Sequence, residues 1–279
     1  MKNLLIACLL MCFYLQIIAQ TISGKVVHAI TGEALPYVNI GLIGTTHGTV
    51  SGLAGAFELF LPETTRPNDS IRFSSIGFAQ ISMTVGAAIN GSPLHLDLQP
   101  TVLNLPEITV RPLFTNYKII GNDKITASNV TNLAISNRAN QNLGSEIGRR
   151  FKSKKGETIE KMRFYIAQNN FDTVRFRINV YAMRGGRPGQ NLMPENRIVE
   201  IINRRTGWVE VDLSAYQIQP AVAFVASAEW VYAGGKGNRL SFPITIPSVG
   251  ATHFYKYGSQ NNWKKFAQMS AAIEVTLAW

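Results

Sequence analysis

The chain has 279 residues, of which 46% are hydrophobic and 16% charged, and its formal net charge at pH 7 is +10. A chain of this length can build two ordinary hydrophobic cores. Cys8 and Cys12 are its cysteines, so the sequence after them can form no disulfide and offers no thiol nucleophile. No later run of residues is apolar and long enough to predict a transmembrane helix.

The chain begins MKNLLIACLLMCFYLQIIAQ, which places one lysine before an almost unbroken apolar run. A basic start, a short apolar core and a small residue before a polar one are typical of a secretory signal peptide. We therefore predict a signal peptide over residues 1–19 and export to the periplasm, the outer-membrane surface or the extracellular space. Leu5-Ile6-Ala7-Cys8 also spells a bacterial lipoprotein box, so lipidation of Cys8 is an open alternative.

Charge is distributed unevenly along the rest of the chain. Residues 20–112 carry four basic and six acidic side chains, a net charge of −2, whereas residues 113–279 carry 22 basic and 11 acidic ones, a net charge of +11. This step in composition predicts two domains. A basic domain attracts acidic partners, and export disfavours nucleic acid as one of them. Acidic polysaccharides and lipid head groups fit better.

Residues 20–100 alternate short apolar segments with turn residues, which indicates a small β-sandwich. We predict seven strands with the sequences ISGKVV, YVNI, TV, AFEL, SIRF, ISMTV and LHLDL, in chain order.

The order of ISGKV, TGEALPYVNI, GTVSGLAGAFEL, DSIRFSSIGF and LDLQP resembles the carboxypeptidase regulatory-like domain. The resemblance implies a seven-stranded transthyretin-like sandwich, of a kind common at the N-terminus of exported and outer-membrane proteins in Gram-negative bacteria. A zinc peptidase site would need His-x-x-Glu, and none of the four histidines has glutamate three residues later. We therefore predict no metal site.

The glycines of this domain invite two interpretations. Gly32 and Gly55 stand at turn positions where a positive φ is required, which is a structural role. The alternative is a phosphate cradle, but the glycine-rich stretch does not end in Gly-Lys-Ser/Thr and no helix follows it. The structural interpretation is the better supported of the two.

After a connector and irregular lead-in over residues 101–140, the pattern again predicts strands. Residues 113–150 suggest at most one early strand. In TVRFRINVYAM, apolar and polar residues alternate, which predicts a sheet with one solvated face, whereas AVAFVASAEWVY is apolar on both faces and predicts a central strand. We expect a jelly-roll-like β-sandwich over residues 141–279. The order of FYIAQNNFDTVRFRINVYAMRGGRPGQNL, TGWVEVDLSAY and FVASAEWV resembles an uncharacterised module that accompanies the regulatory-like domain in such bacteria. Strands are predicted over residues 158–167, 173–183, 197–203, 207–213, 221–232, 239–246 and 271–279.

Catalytic motifs are missing from the sequence. It has no Gly-x-Ser-x-Gly and no Ser-x-x-Lys, so we predict no catalytic residue, no cofactor and no enzymatic activity. Glycosidases need only two carboxylates, which sequence spacing does not exclude, and Glu229 beside Trp230 in an apolar strand is the most interesting candidate. Other carboxylates that could complete a pair are Glu195, Glu200, Glu210 and Asp212.

The segment from His253 to Phe266 concentrates aromatic rings, amides and ammonium groups. Sugar-binding sandwiches stack rings on pyranose faces and use amides or charges to bind hydroxyls. The alternative is that the rings belong to the core or cover a hairpin. The predicted ligand-binding residues are Tyr255, Tyr257, Trp263, Lys264 and Lys265.

These patterns together predict an exported, non-catalytic binding or envelope-assembly protein with two β domains. Its partner would be an envelope glycan or another envelope protein. A surface glycosidase is one alternative. A small outer-membrane β-barrel is another, because the final segment AIEVTLAW alternates and ends on an aromatic residue.

Overall fold

The computed structural model describes residues 20–101, 114–125, 129–135 and 142–279. The predicted signal peptide, Cys8 and most of the predicted connector lie outside these residues. The described residues form twenty-two strands, one short α-helix and one turn of 3-10 helix. None of their helices is long and apolar enough to cross a membrane. The predicted all-β fold is confirmed.

The N-terminal unit, residues 20–101, contains seven strands arranged in two sheets. One sheet has the order β4-β1-β7 and the other has the order β3-β2-β5-β6. They enclose a core of their own that includes Ile22, Val26 and Phe73. The strands are β1 Thr21–His28, β2 Asn39–Leu42, β3 Gly48–Val50, β4 Ala56–Phe60, β5 Ser70–Ser74, β6 Ile81–Thr84 and β7 Leu94–Leu98.

Each of the seven strands predicted for this unit is present. The sequence did not predict the helix α1, Val85–Asn90, in which the Thr84 hydroxyl accepts a hydrogen bond from the Ala87 amide at 3.3 Å. Gly32 and Gly55 have φ angles of +70° and +74°, the left-handed conformation that their turns require.

The C-terminal unit, residues 114–279, contains the other fifteen strands. They are β8 Tyr117–Gly121, β9 Val130–Asn132, β10 Glu146–Lys152, β11 Thr158–Ile166, β12 Gln168–Asn169, β13 Thr173–Arg184, β14 Arg187–Asn191, β15 Arg197–Ile202, β16 Gly207–Asp212, β17 Ala223–Gly234, β18 Leu240–Thr245, β19 Thr252–Lys256, β20 Lys264–Ala267, β21 Ser270–Ala271 and β22 Ile273–Ala278.

Two layers of sheet make the C-terminal unit a sandwich. One layer is a seven-stranded sheet with the order β14-β13-β17-β10-β19-β20, in which β15 also pairs with β13. Facing it are a sheet β16-β11-β22-β8 and a small sheet built on β18, which pairs with β12, β21 and β9. The layers meet in one core, where the rings of Phe164 on β11 and Phe176 on β13 lie 5.2 Å apart.

The seven segments predicted as strands in this unit are all strands, but residues 113–150 were underestimated. They contain β8 and β9 as well as β10, because each of the first two completes the edge of a sheet formed by later strands: β8 pairs with β22 and β9 with β18. Sequence pattern does not reveal such long-range pairing.

The prediction of a solvated face on β13 is wrong. Arg177 and Asn179 point away from the core, as the alternation requires, but they are only 2% and 1% exposed. The N-terminal unit covers Arg177, whose Nη1 donates a hydrogen bond of 2.8 Å to the Tyr37 carbonyl oxygen. Asn179 is enclosed by Glu146, Glu229 and Asn191 of its own unit. By contrast β17, predicted to be central and covered, is both.

Candidate ligand-binding cleft between the two units

A row of four charged side chains crosses the seven-stranded sheet on the face that meets the N-terminal unit. Arg177 on β13 lies opposite Glu229 on β17, Glu229 opposite Glu146 on β10, and Glu146 opposite Lys256 on β19. All four are buried. We call these residues the charged row. Two cations and two carboxylates balance one another, as burial of charge requires.

The charged row is closely hydrogen-bonded. Arg177 donates to Glu229 Oε2 from Nε at 2.9 Å and from Nη2 at 2.8 Å, and Lys256 Nζ lies 2.6 Å from Glu146 Oε2. The Asn179 amide nitrogen donates to both carboxylates, at 2.8 Å to Glu146 and 3.0 Å to Glu229. The amide group of Asn179 therefore bridges the two carboxylates.

The surroundings of the charged row favour its ionised form. Burial alone would raise the pKa of Glu229, but the Arg177 guanidinium and the Lys256 ammonium outweigh it and keep that pKa below its usual value. Burial alone would lower the pKa of Lys256, but the carboxylates of Glu146 and Glu229 outweigh this effect, so the pKa of Lys256 is raised overall. Neither group is poised to exchange a proton near neutral pH.

Residues just before and within β2 close the N-terminal side of the charged row. The Asn39 amide donates to Glu229 Oε1 at 2.9 Å, and the Tyr37 hydroxyl accepts from Arg175 Nη1 at 3.2 Å. Tyr37 has a φ of +60°, which is uncommon for a bulky residue and signals local strain. Its ring packs into the core of the C-terminal unit, so the strain accompanies docking of the two units.

The loop of residues 258–263, which we call the docking loop, connects the two units. The Ser259 hydroxyl donates to the Ile40 carbonyl oxygen. Gln260 Nε2 donates to the Asn39 carbonyl oxygen at 3.1 Å and to Ser74 Oγ at 2.8 Å. The Gly44 amide returns a 2.9 Å hydrogen bond to the Gln260 carbonyl oxygen. These bonds join the docking loop to β2 and β5 of the N-terminal unit.

A cleft lies between the charged row, the docking loop and the sheet β3-β2-β5-β6 of the N-terminal unit. Its volume is about 470 Å³, within the range of small-ligand sites. Its walls combine amides, charged groups and two aromatic rings. The rings are Tyr181 and Trp263, whose centroids are 5.6 Å apart in an edge-to-face arrangement. Other side chains that line it are Asn39, Arg72, Asn179, Asn191, Gln260, Asn261 and Asn262.

Two buried polar atoms of this lining have no hydrogen-bond partner in the protein: Asn39 Oδ1, an acceptor, and Arg72 Nε, a donor. A buried polar atom without a partner costs about 1–3 kcal/mol, so such atoms call for an explanation. Both residues lie in the sheet β3-β2-β5-β6 of the N-terminal unit. In the register of β2 and β5, Asn39 lies opposite Ser74 and Gly41 lies opposite Arg72. The cleft thus offers one free donor and one free acceptor.

The predicted ligand-binding residues do not converge on one groove. Trp263 lines the cleft, whereas Tyr255 and Tyr257 line a second cavity of about 320 Å³. Tyr255 is buried, and its hydroxyl donates to the Asn132 carbonyl oxygen at 2.6 Å. Lys264 and Lys265 are exposed on β20, with Lys264 Nζ 5.0 Å from the centre of the Tyr257 ring. Alternation along β19 divides the cluster between two faces.

The carboxylates proposed as a glycosidase pair are also separated. Glu195 accepts a hydrogen bond from Tyr216, Glu200 pairs with Arg175 and Glu210 pairs with Lys161. Asp212 lies two residues from Glu210 on the same exposed face of β16, and both act on Lys161. Glu229 is the buried candidate that joins another carboxylate, and its neighbour Glu146 was not singled out in the sequence. Polar residues at alternate positions of β13, at 177, 179 and 181, were the available signal for the cleft.

In the described part of the chain, no three histidine, cysteine, aspartate or glutamate side chains come together as a metal site.

Comparison with known proteins bears on the N-terminal unit. Residues 22–110 match the family model of the CarboxypepD_reg-like domain. This match supports the resemblance seen in the sequence. No curated protein matches the chain.

Among solved structures, the Clostridial cysteine protease Cwp84 after propeptide cleavage is 8% identical, with a TM-score of 0.41, over 93% of this chain and 65% of its own. The cysteine protease and lectin-like domains of Cwp84, a surface layer associated protein of Clostridium difficile, are 9% identical, with a TM-score of 0.34, over 48% of this chain and 32% of theirs. The chain thus spans less than two thirds of both structures. At these scores, neither similarity says what this chain does.

Proposed function

We propose that this protein is an exported, non-catalytic binding protein of the cell envelope and that it binds a saccharide in the cleft between its two units. The observation that carries the proposal is the composition of the cleft. It combines the half-buried ring of Trp263 with amides that can donate to and accept from hydroxyls. Export follows from the predicted signal peptide.

The free polar atoms strengthen this proposal. Asn39 Oδ1 can accept a hydrogen bond from a sugar hydroxyl, and the aromatic ring of Trp263 offers an apolar face to a pyranose ring. The glycan binding predicted for the C-terminal domain is thereby assigned to a different set of residues. Of the residues first predicted, Trp263 alone lines this cleft.

Catalysis fits the cleft less well than binding. A glycosidase needs a carboxylic acid with a raised pKa to protonate the leaving group. The pKa of Glu229 is instead lowered, and both its oxygens accept hydrogen bonds, Oε2 from Arg177 and Oε1 from Asn39. Glu146 is similarly occupied by Lys256, Asn179 and Ser227. These carboxylates position other side chains.

The test compares two tryptophan variants against an array of bacterial envelope oligosaccharides, followed by calorimetric titration of the ligands found. Trp263→Ala should weaken binding at least about tenfold, or about 1.4 kcal/mol, because it removes the stacking face. Trp208→Ala is the matched control. Each tryptophan packs edge-to-face on a tyrosine, Trp208 at 5.4 Å from Tyr165, and each lies beside a cation, Lys256 for Trp263 and Arg163 for Trp208. Trp208 lies on β16, however, in the sheet β16-β11-β22-β8 and away from the cleft.

Trp208→Ala and the exposed Lys265→Ala should bind as the unaltered protein does. The proposal fails if the unaltered protein binds no envelope saccharide at low salt. It also fails if the two tryptophan variants reduce binding equally, since the cleft would then have no special role.

A further inference from the structure

We infer that the saccharide taken by the cleft carries a carboxylate and that Arg72 of the N-terminal unit binds this carboxylate. The inference rests on the proposed function and adds the chemical class of the ligand. Its basis is the pairing of the Arg72 guanidinium with carboxylates, which differs from that of the other two cations lining the cleft.

Arg177 and Lys256 are both paired with carboxylates of the charged row. Arg72 forms no ion pair with any carboxylate of the described residues, although it is half-buried, and its buried Nε has no hydrogen-bond partner. Since the charged row is already neutral, Arg72 leaves the cleft with one uncompensated positive charge. A ligand that brings one negative charge would complete the pairing.

The position of Arg72 on its sheet makes it available to a ligand. It lies on β5 between Gly41 of β2 and Ser82 of β6, so its paired positions carry no side chain larger than a hydroxymethyl group and no carboxylate. Ile71 and Phe73, on either side, face the core of the N-terminal unit, which directs Arg72 to the opposite face and into the cleft. Asn39, with its free Oδ1, lies on the neighbouring strand of the same sheet.

A guanidinium binds a carboxylate through two parallel N–H···O bonds, which gives geometric as well as charge selectivity. A uronic acid residue would present its carboxylate to Arg72, a hydroxyl to Asn39 Oδ1 and a ring face to Trp263. Arg72 and Asn39 belong to one unit and Trp263 to the other. The ligand would therefore bridge the two units.

The experiment titrates the full chain with two matched probes: oligogalacturonides, and the same oligosaccharides after reduction of their carboxyl groups to alcohols. The unaltered protein should prefer the acidic form by about tenfold or more, the range expected for a charge-assisted bidentate contact. Arg72→Met should bind both forms equally, at the affinity of the reduced form. Arg72→Lys should restore part of the preference, because it returns the charge without the planar fork.

Arg66→Met is the control, since it removes one positive charge from an exposed position of the same unit. It should leave the preference unchanged. If Arg66→Met lowers the preference as much as Arg72→Met does, long-range charge explains it and the inference is overturned. Equal binding of both probes by the unaltered protein, with loss of binding in Trp263→Ala, would overturn the inference and leave the proposed function intact. Absence of binding to either probe would overturn the inference, and the array of envelope saccharides then decides the proposed function separately.

Discussion

Buried polar residues of the C-terminal unit fall into two kinds. Those of the charged row pair with one another, so their burial does not depend on a ligand to balance their charge. His253 is of the other kind: it is 1% exposed, its Nδ1 has no hydrogen-bond partner, and it lines the second cavity with Tyr255 and Tyr257. A buried imidazole without a partner is stable only when neutral.

We therefore predict an acid dependence of stability that belongs to His253. Burial lowers its pKa from 6.5 to about 3, so between these values the unfolded chain binds one proton that the folded protein does not. The free energy of unfolding should fall by up to about 1.4 kcal/mol per pH unit as the pH decreases through this window. His253→Phe, which keeps a ring in the site, should reduce that slope, and the part that remains belongs to His47, whose pKa burial also lowers.

Urea unfolding at several pH values between about 6.5 and 5, above the range in which most carboxylates protonate, measures this slope. His95→Phe changes an exposed histidine and should leave the slope as it is in the unaltered protein. An unchanged slope in His253→Phe would show that the imidazole can acquire its proton inside the folded protein.

At the scale of elements, the β2–β3 hairpin docks the N-terminal unit against the docking loop. The glycine-rich stretch around it does more than form turns. A Cβ at Gly48 would lie 2.7 Å from Ser259 Oγ and 3.0 Å from the Ser259 amide nitrogen, and a Cβ at Gly41 would lie 3.2 Å from the same Oγ. Glycine at these positions lets Ser259 approach and donate to the Ile40 carbonyl oxygen.

Gly48→Ala should consequently loosen docking while leaving the N-terminal unit folded. Its backbone is not left-handed, and the added methyl group would lie closest to Ser259 Oγ, at 2.7 Å, and 3.0 Å from the Ile40 carbonyl oxygen that Ser259 binds, so the Ser259–Ile40 contact is where the strain falls. Hydrogen exchange reports this directly, because the Gly44 amide donates to Gln260 across the interface. That amide should exchange about tenfold faster or more in the variant, equivalent to about 1.4 kcal/mol of lost protection.

Gly52→Ala is the matched control from the same stretch, since its nearest neighbour would be the Ala56 carbonyl oxygen at 3.7 Å. The Gly44 amide should exchange there as in the unaltered protein. Equal protection of this amide in all three proteins would mean that the docking loop adapts to the methyl group, and the close approach would then have no energetic role.

For the whole molecule, the positions of the strands could be predicted from the sequence better than the way the sheets and the two units pack together. Alternation and turn residues predicted seven strands in each unit, since these signals are local. The cleft depends on contacts between residues far apart in the chain, such as Asn39 with Glu229, and no local pattern encodes them. For the same reason the sequence did not show that the outward face of β13, predicted to be solvated, is buried. Trp263 was found because a tryptophan among amides and cations is a compositional signal, whereas Arg72 carries none.

The two units should also differ in what they need from each other. The N-terminal unit encloses a core of its own, with Ile22, Val26 and Phe73 fully buried. Besides the partly buried Ile76, its apolar contribution to the interface is Tyr37 and Val50, which pack into the larger core. Separation would expose these two side chains without opening the N-terminal core. It would also give water access to the charged row, because Asn39 and the Tyr37 carbonyl oxygen would be withdrawn from Glu229 and Arg177.

We predict that a fragment of residues 20–101 folds alone and unfolds cooperatively on heating. Its midpoint should be lower than that of the same unit in the full chain, because the inter-unit hydrogen bonds are lost, at about 0.5–1.5 kcal/mol each. The midpoint should not depend on a chelator, since the histidines of this unit are scattered. Calorimetry of the fragment and of the full chain, with and without chelator, measures both properties. A fragment without a cooperative transition would show that Tyr37 and Val50 must be buried for the N-terminal sandwich to form, and a lower midpoint with chelator would reveal a metal site.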